Sequence, residues 1–314
     1  MPCSTMTNSG ASPEMMADGP EDVDLDGTIT WGELLAETQA RLVASPASDN
    51  PEVEAKWIIE EVTGASSTDL PETLSGLATV RGVAKLDALV ERRIGGEPIQ
   101  YVLGHWPFRS IDLLIDQRVL IPRPETEVVT GLALAELDRL GRPDGATIVD
   151  LGTGSGAIGL SIAAERPQSR VIITDASSDA LAVARANLTG LGNAARGVEI
   201  AQGSWFEAIP DAYLGQVHLI VSNPPYVPVG DELAPSVVDW EPESALRAGH
   251  DGLDDLNHIV DNAHSWLVEG GVVVLEMAPE QTETISQRGE SLGYESAIHA
   301  DLAGLDRAVV LRRG

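Results

Sequence analysis

The stretch VDLGTGSGAIGL, residues 149–160, leaves little freedom for the fold around it. An apolar run ends directly in three alternating glycines, Gly152, Gly154 and Gly156, and then turns into a helical pattern. Glycine permits a left-handed backbone and close approach to a ligand, and a helix start is electropositive. The rest of the chain after residue 128 repeats this strand-then-helix alternation. TIVDL (147–151), RVIITDA (170–176), VHLIVS (217–222) and GVVVLEM (271–277) are continuously apolar, as strands covered on both faces must be. VEIAQ (198–202) is a further strand, and helices are expected over about 157–165, 177–191, 252–268 and 279–292. YESAIHA and DRAVVLRR read as a closing strand pair. The expected fold is α/β, a Rossmann-like, doubly wound and mainly parallel seven-stranded sheet.

The front of the chain has a different pattern. Residues 1–28 are rich in Ser, Gly, Pro, Asp and Glu without periodicity and are expected to be a disordered acidic tail. Residues 29–100 predict a small all-helical domain. Thr30 and Glu33 fit a capping box, Asn50 and Pro51 open a second helix that Gly64 stops, and a third covers about 81–94 before Gly95 and Gly96. Residues 101–127, broken by Pro122 and Pro124, are expected to form a β-hairpin linker, followed by the main domain, 128–314.

Several function classes are disfavoured. The chain holds one cysteine, Cys3, and six scattered histidines, so neither a disulfide framework nor a structural metal is expected. No apolar run reaches the roughly 18 residues of a membrane helix, and no basic-then-apolar leader is visible. The expected location is the cytoplasm and the expected state a monomer. Net charge is −29, and Lys56 and Lys85 are the sole lysines. Phosphate backbones are bound by clustered Lys and Arg, so direct nucleic-acid binding is not expected.

Two further features carry chemistry. Asp175 ends the strand after the glycine loop, where a carboxylate can take both hydroxyls of a ribose. The string GSGAIG also matches the dinucleotide pattern G-x-G-x-x-G. Asp150, just before the first glycine, is expected to lie near the ligand. It would repel a pyrophosphate but suits the ammonium and sulfonium of S-adenosylmethionine, which makes the dinucleotide the second reading. NPPY, residues 223–226, ends the strand VHLIVS with prolines that cannot donate to a ladder. Asn223 then projects to the cleft. Its side-chain oxygen and the Pro224 carbonyl can accept both N–H groups of a planar NH2, and Tyr226 can stack on the plane.

The glycine loop resembles the D-L-G-x-G-x-G signature of class I methyltransferases. NPPY is shared by enzymes acting on adenine amines and on glutamine amides. The blocks GEPIQYVLGHWPF, VLIPRPETE, DWEPESALRAGHDGLDDLNHI, EMAPEQ and ADLAGLDRAVVLRR, in this order with NPPY, resemble the peptide-chain release factor glutamine methyltransferases over about 30–314. The resemblance implies a class I methyltransferase domain behind a helical domain and hairpin linker. It implies methylation of the glutamine in the Gly-Gly-Gln loop of class 1 release factors, modulating translation termination.

By the same resemblance, Gly152, Thr153, Gly154, Ser155 and Gly156 would hold the methionine part of S-adenosylmethionine. Asp175 would bind ribose and Trp205 would lie against adenine. Asn223 would touch donor and substrate, and Pro224, Pro225 and Tyr226 would shape the glutamine slot. Arg123, Glu125 and Thr126 would close over the site. Ser204, Asn257 and the glycine-poor EMAPEQ depart from the usual pattern. The alternatives are a ribosomal-protein glutamine methyltransferase, an adenine-amine DNA or RNA methyltransferase, and a non-catalytic cofactor-binding module.

Overall fold

A computed structural model describes residues 26–142 and 144–314. These divide into two compact units, one holding the described residues up to Ala44 with Asn50–Val90, the other Ser45–Asp49 with Glu91–Gly314.

The first unit runs β1 (Asp26–Thr30), α1 (Trp31–Val43), α2 (Pro51–Thr63), α3 (Leu70–Thr73), β2 (Leu77–Thr79) and the start of α4 (Val80–Ile94). The capping box forms: Glu33 N donates to Thr30 Oγ1 at 3.2 Å, and Thr30 N to the Glu33 carboxylate at 2.9 Å. Pro51 opens α2, and Gly64 closes it with φ 70°. Two expectations need correction. The unit is not all-helical, because β1 and β2 pair antiparallel. The expected tail, 1–28, ends too late, since Asp26–Thr30 is strand; residues 1–25 lie outside the described residues. Strands this short carry too little alternation to be read from sequence. The unit boundary also falls inside α4, upstream of the expected 100/101 division.

After the end of α4, the second unit continues with α5 (Ile99–Leu103) and a hairpin of β3 (His105–Phe108) and β4 (Ile111–Leu114). The hairpin is therefore much shorter than the expected 101–127. From Pro124 the chain is already helical, in α6 (Pro124–Arg139). Pro124 at the first helical position, with Glu125 and Glu127 facing the positive end, is a helix start that the reading as a broken hairpin overlooked. Then come β5 (Thr147–Leu151), α7 (Ala157–Glu165), β6 (Arg170–Asp175), α8 (Ser178–Leu191), β7 (Val198–Gln202) and β8 (Val217–Ser222). The chain continues with α9 (Pro235–Val238), α10 (Asp254–Ala263), β9 (Leu267–Glu276), α11 (Thr282–Ser291), β10 (Tyr294–Ala300) and β11 (Asp306–Arg313).

Seven strands form one sheet in the order β10-β11-β9-β8-β5-β6-β7. The strands β5 to β9 pair in parallel, and β11 is antiparallel to both its neighbours. Successive side chains point to opposite faces. Ile148, Ile173, Val221 and Val274 pack with residues of α6, α7 and α8 such as Val129, Leu160 and Val183. Val149, Leu151, Ile220 and Val273 pack with Ile259 and Ile285 of α10 and α11. Both faces are dry, hence the unbroken apolar runs. Each fully buried aliphatic side chain contributes about 1.5–3 kcal/mol. Buried Asn187 of α8 ties the hairpin to the glycine loop: its amide N donates to Ser155 O at 2.8 Å and Leu114 O at 3.0 Å, and its oxygen accepts from Leu114 N at 2.7 Å. Among the described residues no helix is long and apolar enough to cross a membrane.

The first turn of α7 packs so closely on β6 that a Cβ at Gly159 would sit 2.4 Å from Ile173 Cγ2 and 2.9 Å from Asp150 Oδ2. Gly159→Ala should therefore lower stability by about 1–3 kcal/mol. Gly190→Ala, at an exposed position of α8 with nothing within 4 Å of the new Cβ, should be neutral or gain up to about 1 kcal/mol. Urea midpoints for the two variants check this; equal midpoints would remove the packing argument.

Candidate functional site

At the carboxyl end of the sheet, β5 leads to β6 on one side and β8 lies on the other. This is the switch point of the topology, where helices leave to opposite faces and a crevice opens. A cleft of about 470 Å³ lies there.

Its floor is the glycine loop. Gly152, Gly154 and Gly156 adopt φ of 69°, 55° and 89°, left-handed values that explain the residue type. Thr153 N donates to Thr174 O at 2.8 Å, fastening the loop to β6. Gly154 N and Ser177 N donate to the two oxygens of Asp175 at 2.9 and 2.8 Å. The carboxylate is thus fixed at the strand end by main-chain donors, and each oxygen keeps a lone pair for a ligand.

Asp150 is not where the sequence reading placed it. It is fully buried beneath the loop and does not line the cleft. Its Oδ2 accepts from Thr153 Oγ1 at 2.5 Å and Gly159 N at 2.9 Å, while Oδ1 has no partner. Burial pushes its pKa up to about 6 against the pull of those two bonds. Its role is to brace the loop. The acids that reach the cleft are Asp175 and Asp255, with Arg118 the sole cation on its described lining. That donor set suits hydroxyls and a cationic ligand better than a pyrophosphate.

Trp205 has φ 47°, a strained value for a bulky residue. The turn lays its ring against Gly152, where an added Cβ would meet Cζ3 at 3.4 Å, and its Nε1 donates to Asp255 Oδ1 at 3.2 Å. Burial raises the Asp255 pKa, and the indole bond opposes this. The sequence reading missed Asp255, since an acid in the first turn of α10 looks like ordinary helix-dipole compensation.

The opposite wall comes from β8. Ser222 Oγ donates to Leu151 O at 2.6 Å, which joins the root of NPPY to the end of the glycine-loop strand. Asn223 lines the cleft, and its Nδ2 donates to Thr126 Oγ1 at 3.3 Å. Pro225 also lines it, whereas Pro224 is buried and Tyr226 half-buried, neither on the lining. The Tyr226 carbonyl accepts from Gln281 Nε2 at 2.9 Å, so NPPY is held from behind by the EMAPEQ block. The Tyr226 phenol is pushed up to about 12, first by burial and then by Glu276. Gly152, Thr153, Gly154, Ser155, Asp175, Trp205, Asn223 and Pro225 thus share one cleft; Gly156 stands behind it as the N-cap of α7.

Of the connector residues, Thr126 lines the cleft, joined by Val119, Leu120 and Pro122, which the sequence reading did not assign to the site. Arg123 instead pairs with Glu241, a buried acid that also accepts from Ile121 N at 3.1 Å. Glu125 lies in the first turn of α6. Of the unusual positions, Ser204 lines the cleft and Asn257 does not.

Residues 33–104 match the PrmC N-terminal domain and residues 128–239 the Methyltransferase small domain. A release factor glutamine methyltransferase of Deinococcus radiodurans is 37% identical over 286 residues, covering 90% of this chain and 98% of that protein. One of Coxiella burnetii is 39% identical over 271 residues, covering 85% and 94%. One of Escherichia coli is 38% identical over 249 residues, covering 79% and 87%. A glycine-loop cleft faced by NPPY, on a chain that matches these relatives along most of their length, belongs to the release factor glutamine methyltransferase family.

Proposed function

We propose that this chain transfers a methyl group from S-adenosylmethionine to the side-chain amide nitrogen of the glutamine in the Gly-Gly-Gln motif of class 1 peptide-chain release factors. The observation that carries the reading is Asn223 lining the same cleft as the glycine loop and Asp175.

The donor set fits. The loop from Gly152 to Gly156 leaves room for close main-chain approach to the methionine portion, and Asp175 offers lone pairs to ribose hydroxyls. Trp205 supplies a flat apolar surface for adenine, steadied by Asp255. When bound, the donor supplies an electrophilic methyl group on a positively charged sulfur. Two acidic side chains at the cleft favour that charge.

An amide nitrogen is a weak nucleophile because its lone pair is delocalised into the carbonyl. Asn223 Oδ1 on the lining would accept one of its N–H groups, and the carbonyl of Pro224, next in the chain and behind the lining, would accept the other. Both bonds draw density onto nitrogen and fix the amide plane, so that the face of the nitrogen meets the methyl group. Pro224 and Pro225 keep these acceptors rigid. Alignment of this type can lower a barrier by roughly 7–11 kcal/mol. The nitrogen sheds its proton after it gains positive charge, so Asn223 need not act as a strong base. The N-terminal helical unit would recognise the body of the release factor. A nucleic-acid substrate is disfavoured by the net charge of −29 and by the acids at the cleft.

Asn223→Ala should cut labelled-methyl transfer by about 10²–10³-fold, while calorimetry finds donor affinity within a few-fold of the parent. Turnover close to that of the parent would remove Asn223 from the mechanism. Asp175→Ala should weaken donor binding by about 1.5–3 kcal/mol for each charged hydrogen bond lost; an unaltered dissociation constant would refute the ribose contact. The substrate is tested by offering labelled donor with release factor, with its Gly-Gly-Ala loop variant, with ribosomal protein and with DNA. Label on release factor alone, absent from the loop variant, is the expected result. Label on ribosomal protein or DNA would overturn the assignment.

A further inference from the structure

Asn223 has two ends, and the proposed chemistry needs one of them. A substrate NH2 meets an acceptor at Oδ1 but only another donor at Nδ2. The single hydrogen bond of the Asn223 side chain among the described residues runs from Nδ2 to Thr126 Oγ1. A hydroxyl that accepts there must send its own proton elsewhere. Glu276 is a nearby acceptor. It ends β9, beside Asn223 in the parallel register that pairs Ser222 with Leu275. It is 1% exposed, and its Oε2 is buried without a hydrogen-bond partner. The hydroxyls of Thr126 and Tyr226 are near enough to its carboxyl to favour its charged form, though neither closes a hydrogen bond to it in this structure. A lone acid in the apolar strand GVVVLEM is costly to bury, and neither donor binding nor the NPPY acceptors account for it.

We propose that Glu276 and Thr126 are positioning residues that lock the Asn223 amide: Glu276 accepts the Thr126 proton, Thr126 Oγ1 accepts from Asn223 Nδ2, and Asn223 Oδ1 is left facing the substrate. The inference rests on the methyl-transfer reading above and extends it to groups outside NPPY. It also explains why the first turn of α6 belongs to the site. The relay has a polarity set by Glu276. As a carboxylate it accepts from Thr126. Once protonated it donates to Thr126, whose own proton then points at Asn223 and favours the reversed amide. The groups facing Glu276 are Thr126 and Glu125 from α6, Tyr226 after β8 and Arg307 from β11. Burial and Glu125 raise its pKa, Thr126, Arg307 and Tyr226 oppose this, and the balance stands at about 7. Turnover should therefore fall as pH drops through about 7.

The test uses the full chain with three variants and two readouts. The Asn223 side-chain NH2 signals are assigned in a ¹⁵N-labelled protein by their loss in Asn223→Ala. Thr126→Val should shift those signals and lower kcat by about 10- to 100-fold, with donor affinity by calorimetry within about two-fold. Thr126→Ser keeps the hydroxyl and should recover most of the loss. Glu276→Gln should flatten the pH dependence of both the NH2 signals and kcat between about pH 6 and 8. Unmoved NH2 signals in Thr126→Val, or a Thr126→Ser defect as large as that of Val, would overturn the lock. If Thr126→Val does not fold, the pH response of the Asn223 signals in Glu276→Gln decides: flat supports the relay, parent-like refutes it. Should the parent protein fail to methylate release factor, the proposed function falls, yet the NH2 signals still decide whether Thr126 and Glu276 orient Asn223.

Discussion

Two neighbouring parallel strands, β5 and β8, end side by side and send their chains to different places. The bond from Ser222 Oγ to Leu151 O holds those ends together. Everything at the site is measured from that junction. From β5 the glycine loop turns into α7, with Thr153 N and Gly154 N tied to Thr174 and Asp175 of β6. From β8 the chain meets two prolines and stays extended, with Asn223 at the rim. Neither loop could define a cleft alone. Joined at their roots, they keep a fixed separation across which a donor and an acceptor can be matched.

The acidity of the chain takes on a local meaning at this junction. A net charge of −29 spread over the surface says little about mechanism. Asp175 and Asp255 on the cleft, and buried Asp150 and Glu276 around it, are different. Three are held by hydrogen bonds: two main-chain amides for Asp175, an indole for Asp255, a threonine and an amide for Asp150. Such arrangements keep carboxylates charged where a cationic ligand benefits, or brace a loop where no ligand reaches. The same residue type therefore does unrelated work within a few ångströms.

How much of this was legible in the sequence follows from what each element depends on. The parallel sheet was readable because Val149, Ile172, Ile220 and their neighbours are apolar on both faces. The glycines, Asp175 and Asn223 were readable because backbone conformation or strand ends demand those types. The helix from Pro124 was obscured by treating Pro122 and Pro124 as breaks in a hairpin, although Pro124, Glu125 and Glu127 are a helix start. The strand at Asp26–Thr30 had no signal, since it exists only through its three-residue partner. Trp205 was placed on the cleft from its motif, but its left-handed backbone depends on tertiary packing and nothing local announces it.

Asp150 separates recognising a motif from explaining it. Its letter in D-L-G-x-G-x-G points to the methyl donor, and the electrostatic reason first attached to it assumed contact with the ligand. The carboxylate instead points below the loop, where it accepts from Thr153 and from Gly159 of α7. An asparagine there would offer one acceptor oxygen and an amide with nowhere to donate. An apolar residue would strand the Gly159 N–H and the Thr153 hydroxyl. The acid fits because two donors converge on one buried oxygen and no acceptor is at hand for the N–H groups an amide would bring, and Gly159 is required because that oxygen and Ile173 leave no space for a Cβ. The third glycine of the apparent dinucleotide pattern, G-x-G-x-x-G, thus answers to helix-on-strand packing. That is why the pattern alone discriminates poorly between cofactors, and why the acids that do reach the cleft are the better guide.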